Sequence, residues 1–235
     1  MYFFAAVLFL CSCNDDKKTD TAIATDSSTV VTTEPASTST IITTPQNMVV
    51  VKHRVSDFAK WKSSYDAHDS MRLAHGMHSY VVARGIADTN MVMIAIRADD
   101  MAKAKEFSKS VDLKMAMQKS GVTTPPTIYF TTLTYQDTSV MSVPVRSMTR
   151  FMVKDWAAWE KGFLEGAQER TENGLALRAY GHDADDNNKV TVVTTVLDSA
   201  KASAYWVSDK LKARRAADGV IGTPERFIYR VVQRY

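Results

Sequence analysis

The chain has 235 residues, 45% of them hydrophobic, which is enough for one large or two small globular domains. Its formal net charge is +3 with no long basic run, so we predict no binding to nucleic acid. No apolar run approaches the roughly 20 residues of a membrane-spanning helix, so we also predict no transmembrane helix.

The N-terminus begins with a short apolar segment that ends in small residues, a pattern typical of an export signal. Residues 10–13 (Leu-Cys-Ser-Cys) resemble the lipobox of bacterial lipoproteins, and the acidic residues after them resemble those of surface-displayed lipoproteins. The resemblance implies a signal peptide over residues 1–12, a lipid on Cys13, and attachment to the cell envelope at the outer membrane. No lysine or arginine precedes the apolar run, so an uncleaved apolar tail is the alternative.

Two polar segments divide the rest of the chain. Residues 13–47 are rich in Ser and Thr and hold few large apolar side chains, so they cannot bury enough surface to offset chain entropy. We predict a disordered tether there, and a linker over residues 136–145. The folded parts are then residues 48–135 and residues 146–235.

These two parts are copies of one unit. Trp61 and Trp159 lie 98 positions apart, and the same offset aligns the two copies without a gap. Identities that include Gly, Pro and Trp are a strong sign of internal repetition. Further identical pairs at this offset are Arg72 and Arg170, Gly76 and Gly174, and Pro126 and Pro224.

Each copy reads strand, helix, strand, strand, helix, strand in chain order. In the first copy the predicted strands cover residues 48–55, 79–84, 91–97 and 127–134, and the predicted helices run from Asp57 to Gly76 and from Asp100 to about Lys119.

A βαββαβ unit forms an antiparallel sheet with both helices on one face, which leaves the other face apolar and bare. We therefore predict an α+β fold. Two tandem ferredoxin-like βαββαβ repeats would pack sheet to sheet as an intramolecular dimeric α/β barrel, and the protein would be a monomer.

The first copy also resembles a known group of domains. Its pattern is similar to the dimeric α/β barrel superfamily, and within it to the cyclase-like and antibiotic-biosynthesis-monooxygenase-like domains. Such domains usually pair as homodimers, whereas here the pair would be covalent. The resemblance rests on residues 53–58, Trp61, Lys62, His68, Arg72, Gly76, Asp88, Asn90, Gly121, Val122 and Pro126.

The first helix carries a candidate ligand-binding face. Its members are Trp61, Tyr65, His68 and Arg72, which share one side of a helix by their spacing. A buried His and Arg need polar partners, so they either face an acidic or enolic ligand or pair with a nearby carboxylate. Arg170 keeps the arginine in the second copy, whereas Gly166 replaces His68, which favours a structural role for the arginine.

His53, on the first strand, completes the predicted ligand-binding set, and Phe151 replaces it in the second copy. His75 and His78 lie close by, but no Cys, Asp or Glu at fixed spacing completes a set of metal ligands. We therefore predict neither a metal nor a cofactor, and the sequence identifies no catalytic residue.

Three functions remain open at this point. The first is an exported, lipid-anchored protein whose barrel binds a small, partly apolar molecule. The resemblance implies two others: a cofactor-independent monooxygenase or cyclase, or a haem protein, since some relatives with two fused copies bind haem. His182 is the only histidine of the second copy that could be an axial ligand.

Overall fold

Residues 40–235 are the part of the protein that the structure, a computed structural model, describes. The predicted signal segment and the predicted lipid-bearing Cys13 lie outside these residues. Within residues 40–235, no helix combines the length and the apolar character that crossing a membrane requires.

The first repeat consists of five strands and four short helices. They are β1 (Ile41–Ile42), β2 (Gln46–Arg54), α1 (Phe58–Ala67), α2 (Asp69–Ala74), β3 (Met77–Gly85), β4 (Met91–Ala98), α3 (Met101–Phe107), α4 (Val111–Lys119) and β5 (Thr127–Asp137).

The second repeat follows the same order. Its elements are β6 (Val145–Val153), α5 (Trp156–Glu165), α6 (Ala167–Glu172), β7 (Leu175–Asp183), β8 (Lys189–Val196), α7 (Ser199–Val207), α8 (Asp209–Ala217) and β9 (Val220–Arg234).

The strands form one antiparallel sheet that closes on itself. In the first repeat the strand order is β5-β2-β4-β3, and in the second it is β9-β6-β8-β7. β3 pairs with β9 and β5 pairs with β7, so the edges of the two four-stranded units join at both sides. The predicted α+β fold of two ferredoxin-like βαββαβ repeats is confirmed.

Alternation along the strands separates two apolar layers. On β2, Met48 and Val50 belong to a core inside the ring, which they share with Met148 and Tyr229 of the second repeat. Val49, between them, faces the helices instead and packs in the cluster that contains Trp61 and Phe107. The second repeat has its own clusters beneath its helices. Each repeat therefore contributes one face to a shared interior.

Each predicted long helix is two helices in the structure. The first breaks at His68, and its counterpart in the second repeat breaks at the equivalent Gly166. The second predicted helix also splits, because Ser110 accepts a hydrogen bond from the Leu113 amide and so caps the start of α4.

An arginine stabilises each break in the first helix. Arg72 Nη1 donates a 2.7 Å hydrogen bond to the carbonyl oxygen of Tyr65, in the turn that the break disturbs. Arg170 makes the same bond to the carbonyl of Phe163 in the second repeat. Backbone oxygens at helix ends need such partners, so the break and the arginine occur together in both repeats.

The strands also extend beyond the boundaries that composition predicts. Ile41 and Ile42 of β1 pair with Asp137 and Gln136 at the end of β5, and β2 begins at Gln46. Part of the predicted tether (13–47) and part of the predicted linker (136–145) therefore lie in the sheet. Backbone pairing needs no apolar side chain, so composition alone does not reveal it.

Candidate functional site

The structure contains a cavity beneath the helices of each repeat and a third cavity inside the ring. Their volumes are about 80, 80 and 90 Å³ respectively. The first-repeat cavity lies between the sheet and helices α1 to α4.

All five residues predicted to bind a ligand lie in the wall of the first-repeat cavity. The strand supplies His53, and the helices supply Trp61, Tyr65, His68 and Arg72. The rest of the wall is mostly apolar and includes Val49, Met71, Met77, Ile94, Leu113 and Met117.

His53 is the unusual group in this wall. It is only 2% exposed, yet neither of its ring nitrogens has a hydrogen-bond partner. Its ring meets Trp61 edge to face, with 5.6 Å between the centroids. Burial lowers the pKa of His53 to about 4, so the imidazole is neutral at pH 7. It then offers one donor and one acceptor to anything that enters the cavity.

Tyr65 and Arg72 form a connected group beside His53. Tyr65 stacks on Trp61 at 5.2 Å, and the Arg72 guanidinium carbon lies 3.7 Å from the centre of the Tyr65 ring. The hydroxyl of Ser79 binds Tyr65 Oη at 2.7 Å and accepts a 3.2 Å hydrogen bond from Arg72 Nε. Burial raises the pKa of Tyr65, and the charge of Arg72 opposes this rise.

Each of the three guanidinium nitrogens of Arg72 already donates a hydrogen bond within the protein. Nη2 donates to Asp69 at 2.9 Å, while Nε and Nη1 are bonded to Ser79 and to the Tyr65 carbonyl. Arg72 therefore holds its neighbours in place, and this geometry matches the interpretation in which it pairs with a nearby carboxylate. Ser79 was missed at the sequence level, because a serine next to a β-bulge carries no distinctive pattern.

The other histidines of the first repeat differ in their surroundings. His68 is half-buried, and its Nδ1 lies 2.6 Å from the Ser64 carbonyl oxygen. His75 stacks on Phe107 at 4.5 Å, and His78 lies 3.0 Å from a carboxylate oxygen of Asp99. Within the described residues 40–235, no three His, Cys, Asp or Glu side chains are grouped to hold a metal ion.

The second-repeat cavity occupies the equivalent position. Phe151 replaces His53 there and contacts Trp159 with the same geometry, 5.6 Å and 63°. His182 does not belong to its wall. That ring instead packs on Trp156 at 4.8 Å, with Nδ1 2.9 Å from the carbonyl oxygen of Asp183.

The third cavity lies inside the ring, and all eight ring strands contribute to its wall. It contains Arg146, which is only 3% exposed, and Arg178, which pairs with Asp137 at 2.7 Å. Met48 stands in the first repeat at the position equivalent to Arg146, so the interior is not symmetric.

Several solved structures share this fold. A provisionally named monooxygenase from Fusobacterium nucleatum is 14% identical with a TM-score of 0.55, covering 80% of this chain and 93% of that one. An anthrone oxidase-like protein is 16% identical with a TM-score of 0.54, covering 82% of this chain and 94% of that one. A provisionally named chlorite dismutase is 16% identical with a TM-score of 0.52, covering 80% and 96%.

These likenesses show the fold, and the predicted resemblance to the ferredoxin-like dimeric α/β barrel is confirmed at that level. No protein-family profile matches the sequence, and no curated protein sequence matches it.

Proposed function

We propose that the first-repeat cavity binds a small, largely apolar molecule that carries one hydrogen-bonding group, and that His53 recognises this group. The observation that supports this is the buried imidazole with two unpartnered nitrogens. Buried polar groups are nearly always hydrogen-bonded, and leaving one unpaired is unfavourable. A ligand hydroxyl or carbonyl at His53 would reduce this penalty by pairing one of the two nitrogens.

The cavity volume limits the ligand. About 80 Å³ is smaller than the roughly 150 Å³ of an engineered cavity that binds benzene, and far below the roughly 300–1,000 Å³ of drug-sized pockets. A single-ring compound therefore needs the wall to adjust. Met71, Met77 and Met117 lie in that wall, and methionine side chains repack easily.

An enzyme of the monooxygenase type is the second candidate. Structural neighbours named as a monooxygenase and as anthrone oxidase-like favour it, as does a neutral imidazole that could accept a proton from a bound phenol. A general base works best with a pKa near the working pH, however, and that of His53 is far lower. Binding is therefore our first proposal. The monooxygenase proposal can be tested by measuring oxygen consumption with phenol in wild type and in His53→Phe.

Haem does not fit the residues present. Neither helix-side cavity, at about 80 Å³, has room for a macrocycle, and His182 lies outside the wall of the second-repeat cavity.

Replacing His53 with phenylalanine tests the proposed site. Phe151 shows that the fold accepts phenylalanine at the equivalent position, so His53→Phe should fold. Its free energy of unfolding should exceed that of wild type by about 1–2 kcal/mol, because the variant has no unpaired ring nitrogens. Wild type should bind phenol about five- to tenfold more tightly than benzene, because phenol can form one hydrogen bond to His53. The variant should bind phenol and benzene with equal affinity. Calorimetric titration with both probes measures this, and equal binding by the wild type would contradict the proposal.

The pH dependence of stability gives an independent readout. Because the folded pKa of His53 is about 4 and its ordinary value is about 6.5, the unfolded chain binds the proton more readily between these values. The free energy of unfolding should therefore fall as the pH decreases from 6.5 to 4. Thermal melts of His53→Phe should lack this component, and an unchanged pH profile would show that His53 is not buried in a neutral form.

We also propose that the protein is exported and carries its lipid on Cys13, which supports attachment to the cell envelope. Metabolic labelling with a fatty acid should tag the wild type and the Cys11→Ala control, but not Cys13→Ala. Equal labelling of Cys13→Ala and wild type would end this proposal.

A further inference from the structure

The two helix-side cavities have diverged in charge. Both are lined by residues at equivalent positions of the repeats. Ala116, Met117 and Ile128 in the first cavity correspond to Arg214, Arg215 and Arg226 in the second. With Arg170, which is equivalent to Arg72, the second cavity has four arginines in its wall, whereas the first has one.

Two carboxylates, those of Glu169 and Asp218, act on these four arginines, so two positive charges stay unmatched. Arg214 Nη2 lies 2.7 Å from Glu169 Oε2. Among the described residues, Arg170, Arg215 and Arg226 have no carboxylate within 4 Å. Asp218 is in the wall as well, but it forms no ion pair within that distance to any described lysine or arginine. The wall therefore keeps a net positive charge.

Aromatic and hydroxyl side chains hold two of the arginines in place. The guanidinium carbon of Arg226 lies 4.3 Å from the centre of a ring of Trp206, and its Nε donates to the Thr149 hydroxyl at 3.3 Å. The guanidinium carbon of Arg170 lies 3.8 Å from the centre of the Phe163 ring. Stacking on a ring fixes a guanidinium without neutralising it.

The arrangement of the arginines explains why glycine replaces His68 at the equivalent position 166. A Cβ atom at Gly166 would lie 3.1 Å from Nη1 of Arg170 and 3.3 Å from Nη1 of Arg214. The two guanidiniums thus approach each other at Gly166, in space that the His68 side chain would otherwise occupy. Burial lowers the pKa of Arg170 and of Arg226 to about 10, so both stay charged at pH 7 and unfavourably desolvated.

We propose that the second-repeat cavity binds a small carboxylate with an apolar body, whose charged end pairs with Arg215 and Arg226 and whose body contacts the aromatic wall. Arg215 and Arg226 are only partly buried, but partial desolvation of a guanidinium without a counter-charge is unfavourable, and an anion beside them offsets that penalty. The apolar part of the wall includes Phe151, Trp159, Leu175, Val192, Tyr205 and Trp206.

Benzoate and its neutral analogue benzyl alcohol are the probes for this site in the full chain. Because the cavity measures about 80 Å³, the partly exposed side chains of Arg215 and Arg226 have to shift to admit the ring. Calorimetry on His53→Phe, which lacks the hydrogen-bonding group of the first-repeat cavity, should show benzoate binding at least tenfold tighter than benzyl alcohol, and the difference should shrink as salt is added. Quenching of tryptophan fluorescence on benzoate addition, reduced in Trp206→Phe, would report contact near Trp206. Equal affinity for the two probes, or no binding of benzoate, would overturn the proposal.

The first repeat supplies matched variants. Arg215→Met and Arg226→Ile install the residues that the fold already accepts at the equivalent positions 117 and 128. Each should lower benzoate affinity at least tenfold while keeping or raising the melting temperature without ligand. Arg226→Lys keeps the charge and should retain part of the affinity. If the Met and Ile variants melt like wild type and bind benzoate equally well, the proposal is wrong.

Two further variants separate this site from its neighbours. Arg234→Gln changes an arginine of the interior cavity to the residue at the equivalent position 136 and should leave benzoate binding unchanged. His53→Phe should also leave benzoate binding unchanged. Failure of the first-repeat proposal can therefore be distinguished from failure of this one. Loss of binding in Arg234→Gln alone would place the anion inside the ring and contradict this proposal.

Discussion

Residues 40–135, produced without the second repeat, should associate or aggregate instead of forming a stable monomer. β3 and β5 would lose β9 and β7, which leaves two strand edges with unpaired backbone groups. The inner face, including Met48, Val50 and Met93, would become exposed to water. Size-exclusion chromatography with light scattering measures the outcome.

Residues 40–235 are the control for that experiment and should run as a monomer, because both pairs of edges are joined within one chain. A fragment that does stay soluble should be a dimer that rebuilds the ring from two identical halves. A folded fragment of monomeric mass, stable to thermal denaturation, would contradict the argument from the sheet edges.

Arg72→Ala should lower the free energy of unfolding by about 1 to 3 kcal/mol. The substitution removes hydrogen bonds to the Tyr65 carbonyl, Ser79 and Asp69, and the first of these partners lies at the helix break. The Tyr65 ring also loses the guanidinium that stacks on it. Denaturant unfolding, with the slope checked for two-state behaviour, gives the value.

His68→Ala is the matched comparison, because it lies at the break itself and in the same cavity wall. Its counterpart is Gly166, so the backbone at this position does not need an imidazole. We expect a loss smaller than that of Arg72→Ala, since one half-buried hydrogen bond to Ser64 disappears. Equal losses would show that His68 is required for packing, like Arg72.

Much of the fold could be predicted because the repeat constrains it. Once Trp61 aligns with Trp159, each strand or helix is supported by two sequences, and a bare sheet face requires a partner. The helix breaks could not be predicted in the same way. Trp61, Tyr65 and Arg72 keep helical spacing across His68, so their periodicity gives no sign of the non-helical backbone conformation at that one residue.

The sequence grouped five residues that line one cavity in the structure, but the chemistry of that cavity was not predicted. Trp61, His68 and Arg72 stood out by their spacing, whereas the unpartnered state of His53 depends on which groups the folded chain places around it. The arginine-lined cavity was missed because Arg215 and Arg226 lie on different elements. The repeat offset could have revealed it, since both positions are apolar in the first copy.

The joining of two non-identical halves in one closed ring also affects how such a protein can change. In a homodimer one gene sets both halves, so every substitution is made twice, once on each side of the symmetry axis. An arginine introduced to attract an anion would then appear in both cavities, and a histidine would as well. In this chain His53 lines a mostly apolar cavity, while Phe151 lines a cavity with four arginines, and a mutation in one half leaves the other unchanged. Covalent duplication thus allows the two cavities to differ in charge and lining, which a symmetric assembly of identical subunits cannot achieve.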